Sequence, residues 1–141
     1  MSKTIRYTQL FLITVAVLMA VAACQESFED RCRRTAREYT ERQCPRPDPE
    51  NPSVVEDSMV FVDSPSKGFV HYYSVSDAFD HDSCYTESKL LDFREQVIAN
   101  IRRDVTLREC KARDFTFTYR LRSATTGREY MSVTIGPDDY K

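Results

Sequence analysis

The chain has 141 residues, 30% of them charged, a formal net charge of −2 and a mean hydropathy of −0.51. That length with 41% hydrophobic residues allows one domain with a modest core. The balance of 20 basic against 22 acidic residues argues against nucleic acid or an anionic membrane surface as a partner, and no glycine loop able to cradle phosphate is present.

Residues 1–23 carry Lys3 and Arg6 and no acid, and from Leu10 to Ala23 every residue except Thr14 is apolar. A bilayer-spanning helix needs about 20 such residues. A basic start, a short oily middle and small residues at the exit instead predict a secretory signal peptide. Val21-Ala22-Ala23-Cys24 resembles the lipobox of bacterial lipoproteins. The resemblance implies a diacylglyceryl thioether on Cys24, cleavage before it, and acylation of the new amine. Two or more acyl chains hold a protein stably on a bilayer, which makes the lipid bilayer the first expected partner. Gln25 follows the cysteine in place of the aspartate that often retains lipoproteins at an inner membrane, so the resemblance implies the periplasmic face of a Gram-negative outer membrane. Residues 24–26 are the expected lipidated N-terminus.

Residues 27–137 are predicted to form a single domain. Residues 27–43 read as a helix: Ser27 is a good N-cap, Asp30 complements the first turn, and Phe28, Cys32, Thr35 or Ala36, and Tyr39 recur at helical spacing. Pro45 is the stop. The Pro-rich linker 45–53 follows, with an extended conformation and no core of its own. Met59–Val62 marks a first strand and Phe69–Ser76 a second, with Phe69, His71, Tyr73 and Val75 on one side. "DAFDHDSC" (77–84) is an acidic loop. Residues 86–102 keep a helical period through Leu90, Phe93 or Leu91, Val97 or Ile98, and Ile101, and Asp104 is placed to cap a further turn through Cys110. Phe115, Phe117, Tyr119 and Leu121 then alternate with Thr116, Thr118, Arg120 and Arg122. After "ATTG", Met131, Val133 and Ile135 alternate with Tyr130, Ser132 and Thr134: a hairpin with one wet face. Residues 138–141 are expected to be a loose tail. The order α-β-β-α-β-β predicts an α+β two-layer sandwich, an antiparallel four-stranded sheet covered on one face by two helices.

Five cysteines occur. With Cys24 set aside for lipid, Cys32, Cys44, Cys84 and Cys110 are an even set that reads as two disulfides in an oxidising compartment. Within one helix Cys32 and Cys44 stand about 18 Å apart, beyond disulfide reach. Each therefore pairs with Cys84 or Cys110, with Cys32–Cys84 and Cys44–Cys110 slightly favoured. A zinc site is the competing reading, but no two of these cysteines are close in sequence and both histidines lie elsewhere, so no metal or other cofactor is expected.

Catalysis finds little support. His71 sits among strand aromatics and reads as structural. His81 beside Asp77, Asp80 and Asp82 could hold a cation, yet the loop lacks calcium-loop spacing. No nucleophile elbow accompanies any serine. The wet face of the last hairpin, Thr116, Thr118, Arg120, Arg122 and Tyr130, is the candidate surface for a protein partner, because arginine and tyrosine favour interfaces. The stretch "VTLRECKARDFTFTYRLRSATTGREYMSVTI", with the lipobox and first helix, resembles the small AspS-type pilotins of type II secretion. That resemblance implies binding of a secretin subunit's C-terminal helix and its escort to the outer membrane. The alternative is a periplasmic inhibitor or immunity lipoprotein that blocks a toxin or a wall-degrading enzyme.

Overall fold

A computed structural model describes residues 25–141. The expected signal peptide and Cys24 lie outside the described residues. Two compact units divide the chain, Met1–Arg31 and Cys32–Lys141. The described part of the first holds the start of helix α1 (Phe28–Gln43). There Ser27 Oγ accepts the Asp30 N–H at 3.0 Å, the expected cap, and Glu29 and Asp30 complement the positive end of the helix.

The second unit contains the rest of α1 and a sheet of five strands, β1 (Arg46–Pro47), β2 (Val54–Val62), β3 (Gly68–Val75), β4 (Thr116–Ser123) and β5 (Glu129–Ile135), in the order β1-β2-β3-β4-β5. The α+β class stands, but the sheet is mixed and five-stranded where four antiparallel strands were expected. β3 and β4 run parallel, from Gly68↔Thr116 to Val75↔Ser123. Helix α2 (Glu87–Arg103) is the reason. It carries the chain from the Val75 end back to the Gly68 end, so β4 sets out in the direction of β3. Two hairpins joined by a crossover helix thus meet along a parallel seam. The fifth strand comes from the Pro-rich linker: Arg46 pairs with Glu56 and Pro47 with Val55, at an edge, where a residue without an N–H is tolerated.

One face of the sheet is buried. Phe61, Phe69, Val75, Phe117, Leu121, Met131 and Ile135 are all buried along it. Phe61, Phe69 and Phe115 pack with ring centroids 5.7–6.1 Å apart, and Val75, Leu121 and Met131 form a second core cluster. α1 is fastened to β2 by Thr40, whose hydroxyl donates to the Met59 carbonyl and accepts the Met59 N–H, both at 2.9 Å. These are edge groups that no strand pairs, and the helix covers them. α2 is fastened over β4 and β5 by Phe93, edge-on to Tyr119 at 6.0 Å, and by Arg94, which donates to the Thr134 carbonyl at 3.0 Å. After α2, Asp104 caps a turn at Val105–Leu107 by accepting the Thr106 N–H, and helix α3 (Arg108–Ala112) follows. No helix among the described residues is long and apolar enough to cross a membrane.

Two further expectations change. Residues 138–141 are not a loose tail: Pro137–Tyr140 form a short helix, α4. Tyr140 is 6% exposed and donates its hydroxyl to the Phe115 carbonyl at 2.7 Å. The aromatic ring at the end of a polar segment finds the core. The two expected disulfides are also not formed: among the described residues no disulfide joins Cys32, Cys44, Cys84 or Cys110. Neither favoured pairing has its partners together. The Asp104-capped turn and α3 bring Cys110 against Cys32, Cys84 Sγ donates to the Ala78 carbonyl, and Cys44 lies near Glu56 and Arg46.

Candidate functional site

The second face of the sheet carries the alternate residues, and apart from Gly68 at one end none of them is buried. Register sets them in rows: Val60, Val70, Thr118 and Thr134 in one, and Ser58, Tyr72, Arg120 and Ser132 in the next. Of the five residues expected to face a partner, four share this surface. Thr116 lies at the Gly68 end. Thr118 shares a hydrogen bond with Thr134 at 3.0 Å. Arg120 donates to Glu129 at 2.7 Å and lies over the Tyr72 ring at 5.8 Å. Arg122 stands 3.8 Å from Asp57, which also accepts from Ser74. The arginines are therefore balanced by carboxylates, and the surface is mixed in charge. Beside them Val60, 42% exposed, Val70 and Tyr72 form an apolar strip. A shallow cleft of about 230 Å³ opens among Tyr72, Arg120, Arg122, Gly127 and Glu129. A sheet face with apolar, aromatic and arginine groups in rows offers complementarity to a protein surface.

Tyr130 is the exception. Leu121 pairs with Met131 but Arg122 pairs with Glu129, so Tyr130 is the extra residue of a β-bulge. The bulge re-aims its ring, which stacks on Tyr85 at 4.8 Å while its hydroxyl donates to Asp80 at 2.7 Å. Strict alternation across "EYMSVTI" cannot reveal such a bulge. The acidic loop is correspondingly tied down. Asp80 accepts from Tyr130 and from buried Ser123, and these bonds hold its carboxyl below the usual carboxylate range. Asp82 pairs with Arg128 at 3.0 Å, and Asp77 accepts from Ser53 and Ser76. Each carboxylate serves a different neighbour, and among the described residues no group of three His, Cys, Asp or Glu could hold a metal.

On the covered face the structure reveals a residue the sequence did not single out. Glu56 is 3% exposed. Its Oε1 meets His71 Nδ1 at 2.8 Å, and its Oε2 accepts from Tyr39 at 2.7 Å and from Arg46 at 3.2 Å. Burial pushes its carboxyl up, but the bonds from His71 and Tyr39 and the charges of His71 and Arg46 outweigh that, and its pKa ends below the usual range. Burial and then Glu56 itself push the phenols of Tyr39 and Tyr119 up to about 12. One carboxylate thus joins α1, β1, β2 and β3. The cause is a second bulge, at Asp57, which turns Glu56 to the side of Met59 and Phe61 and leaves no mark in the strand's own pattern. His71, stacked on Tyr119 at 5.0 Å, is part of this fastening. Next to it a cleft of about 290 Å³ opens between α2 and the linker, lined by Tyr73, Phe93, Val97, Tyr119 and Met131 among others.

A family model described as a domain of unknown function (DUF8479) matches residues 27–131, from the cap of α1 into β5. A crystal structure of a candidate secreted protein from Pseudomonas aeruginosa aligns with a TM-score of 0.62 at 16% identity, over 83% of this chain and 100% of that one. At that identity the likeness speaks for the fold alone. No curated protein sequence matches the chain.

Proposed function

The chain belongs to the DUF8479 family, and from the geometry of its sheet we propose that it is a non-enzymatic, protein-binding accessory lipoprotein of the Gram-negative periplasm. In this reading acyl chains on Cys24 hold it to the periplasmic face of the outer membrane, and the uncovered sheet face receives an envelope protein. The observation that carries the reading is that face. Thr118 and Arg120 stand in register with Val70 and Tyr72, Val60 pairs with Val70, Thr116 and Arg122 flank them on the same strand, and none of these residues is buried. The other side of the same strands holds the core. The leader pattern supports an extracytoplasmic location, as does the fold shared with a candidate secreted protein. In its most concrete form the partner is a secretin subunit, escorted as the pilotins escort theirs.

The test is recovery of partners from detergent-solubilised envelopes with the natural chain and with an Arg120→Glu/Arg122→Glu variant. The expected result is an envelope protein captured by the first and lost by the second. A secretin identifies the pilotin form. A toxin or wall hydrolase transfers the chain to the inhibitor reading, and equal recovery by both chains removes the sheet face from the proposal. Mass spectrometry of the natural N-terminus is expected to find a tri-acylated Cys24, and an intact Met1 overturns the anchor.

A further inference from the structure

The cleft of about 290 Å³ lies on the covered side of the sheet, between α2 and the linker. Tyr73, Tyr119, Leu121 and Met131 from the sheet and Phe93 and Val97 from α2 line it, and exposed Asp48 stands at its rim. An apolar cavity of about 150 Å³ already holds benzene, so this space suits one aromatic ring with a short side chain. A smaller recess of about 80 Å³ adjoins it, sharing Asp48, Val54 and Tyr73 and reaching Arg46 and Glu56. The lining of the recess therefore carries two carboxylates and one guanidinium. That guanidinium is already engaged: it donates to Glu56 at 3.2 Å and lies over the Tyr39 ring at 5.7 Å. Asp48 accepts the Glu50 and Asn51 N–H groups through Oδ1 alone, at 2.8 and 3.0 Å. Among the described residues its Oδ2 has no partner, and neither has the hydroxyl of Tyr73 or of Tyr119. Polar groups without partners thus stand where an apolar cleft meets an acidic recess.

We propose that the cleft and its recess together bind a small arylalkyl amine, with the ammonium group in the recess and the aromatic body in the cleft. An ammonium carries three donors and no acceptor. The recess offers it Asp48 Oδ2, the Tyr73 oxygen and Glu56, whose carboxylate accepts from His71, Tyr39 and Arg46 and can take about four hydrogen bonds. The body of the ligand withdraws the apolar walls of the cleft from water. It also meets Phe93 and Tyr119, which stand edge-on to each other at 6.0 Å, an arrangement that a third ring can extend by stacking or edge contact. A carboxylate head is disfavoured, because it would face Asp48 and Glu56. The local field has the matching sign: after burial, Glu56 is the next cause that pushes the Tyr73 phenol up and the Tyr119 phenol up to about 12. This site lies on the opposite side of the sheet from the proposed partner surface and does not depend on it.

The test titrates the full chain, in non-ionic detergent and with isotope-labelled methionine methyls, against probes that share one body: 2-phenylethylamine, 2-phenylethanol and 3-phenylpropionate. The Met131 methyl reports on the cleft, and Met59, held beside α1 by Thr40, is the reference. The amine is expected to shift the Met131 signal saturably, with a Kd of about 1 mM as befits a ligand of this size, and to leave Met59 still. The alcohol is expected to bind about tenfold more weakly, and the acid more weakly again. Asp48→Asn keeps the oxygen that accepts the Glu50 and Asn51 N–H groups and removes the charge. It is expected to weaken the amine about threefold, with the alcohol and the melting temperature unchanged. An alcohol or acid that binds as tightly as the amine overturns the proposal. So does undiminished amine binding by Asp48→Asn, or a Met131 signal that none of the probes moves.

Discussion

Glu56 divides its two oxygens among Tyr39, Arg46 and His71 while almost wholly buried. Glu56→Ala leaves the Tyr39 hydroxyl and the His71 ring without their acceptor, and a loss of about 2–4 kcal/mol is expected in urea unfolding. Its acid response has a definite sign. The folded carboxyl titrates below its unfolded value, so its contribution is complete above the unfolded glutamate pKa of about 4.3. That contribution drains away as pH falls through the folded pKa. Circular dichroism at falling pH is expected to show a steeper loss in the natural chain than in Glu56→Gln, and parallel curves would refute this. Gly68 offers a second point of control. A Cβ there would strike the Thr116 carbonyl oxygen across the parallel seam, so Gly68→Ala is expected to cost about 1–3 kcal/mol through local overpacking. An unchanged urea midpoint would deny that close approach.

Among the elements, α4 shows how a short polar segment becomes structure. "GPDDYK" has the composition of a solvated end, and only its single aromatic ring hints otherwise. Yet Asp139 accepts the Gly136 N–H at 2.9 Å and pairs with Arg94 at 2.6 Å, and Tyr140 packs edge-on to Phe117. Tyr140→Phe keeps the ring and deletes the bond to the Phe115 carbonyl, and is expected to cost about 1 kcal/mol. Amide exchange at Phe115–Phe117 is expected to quicken with it, and unchanged protection there would show that α4 does not brace β4. The two bulges act at the same scale. Each adds one residue to a strand and reverses which neighbour faces inward, and so Glu56 enters the core side and Tyr130 leaves the open face. Period-two patterning has no means of placing such an insertion from one strand alone, because the bulge exists only relative to its partner.

For the whole molecule, the unequal faces of the sheet carry the functional expectation. Arg120 and Arg122 are exposed, so Arg120→Glu/Arg122→Glu is expected to move stability by about 0.5 kcal/mol per site or less while removing partner capture. Parallel thermal melts and envelope pulldowns separate the two effects, and a collapsed melt would mean that the arginines serve the fold. Four of the five suspected contact residues were legible because side chains two apart on a strand share a face whatever lies beyond it. The Ser27 cap, the helical stripes of α1 and α2 and the wet and dry sides of the last hairpin were readable for the same local reason. The amino-acid order by itself determined which segments coil or extend and which side of each is oily. Only the tertiary structure decided that β4 runs parallel to β3 and that the proline segment lends a fifth strand. Those outcomes depend on where a crossover helix lands relative to strands distant in sequence, and no spacing within a single element records that position.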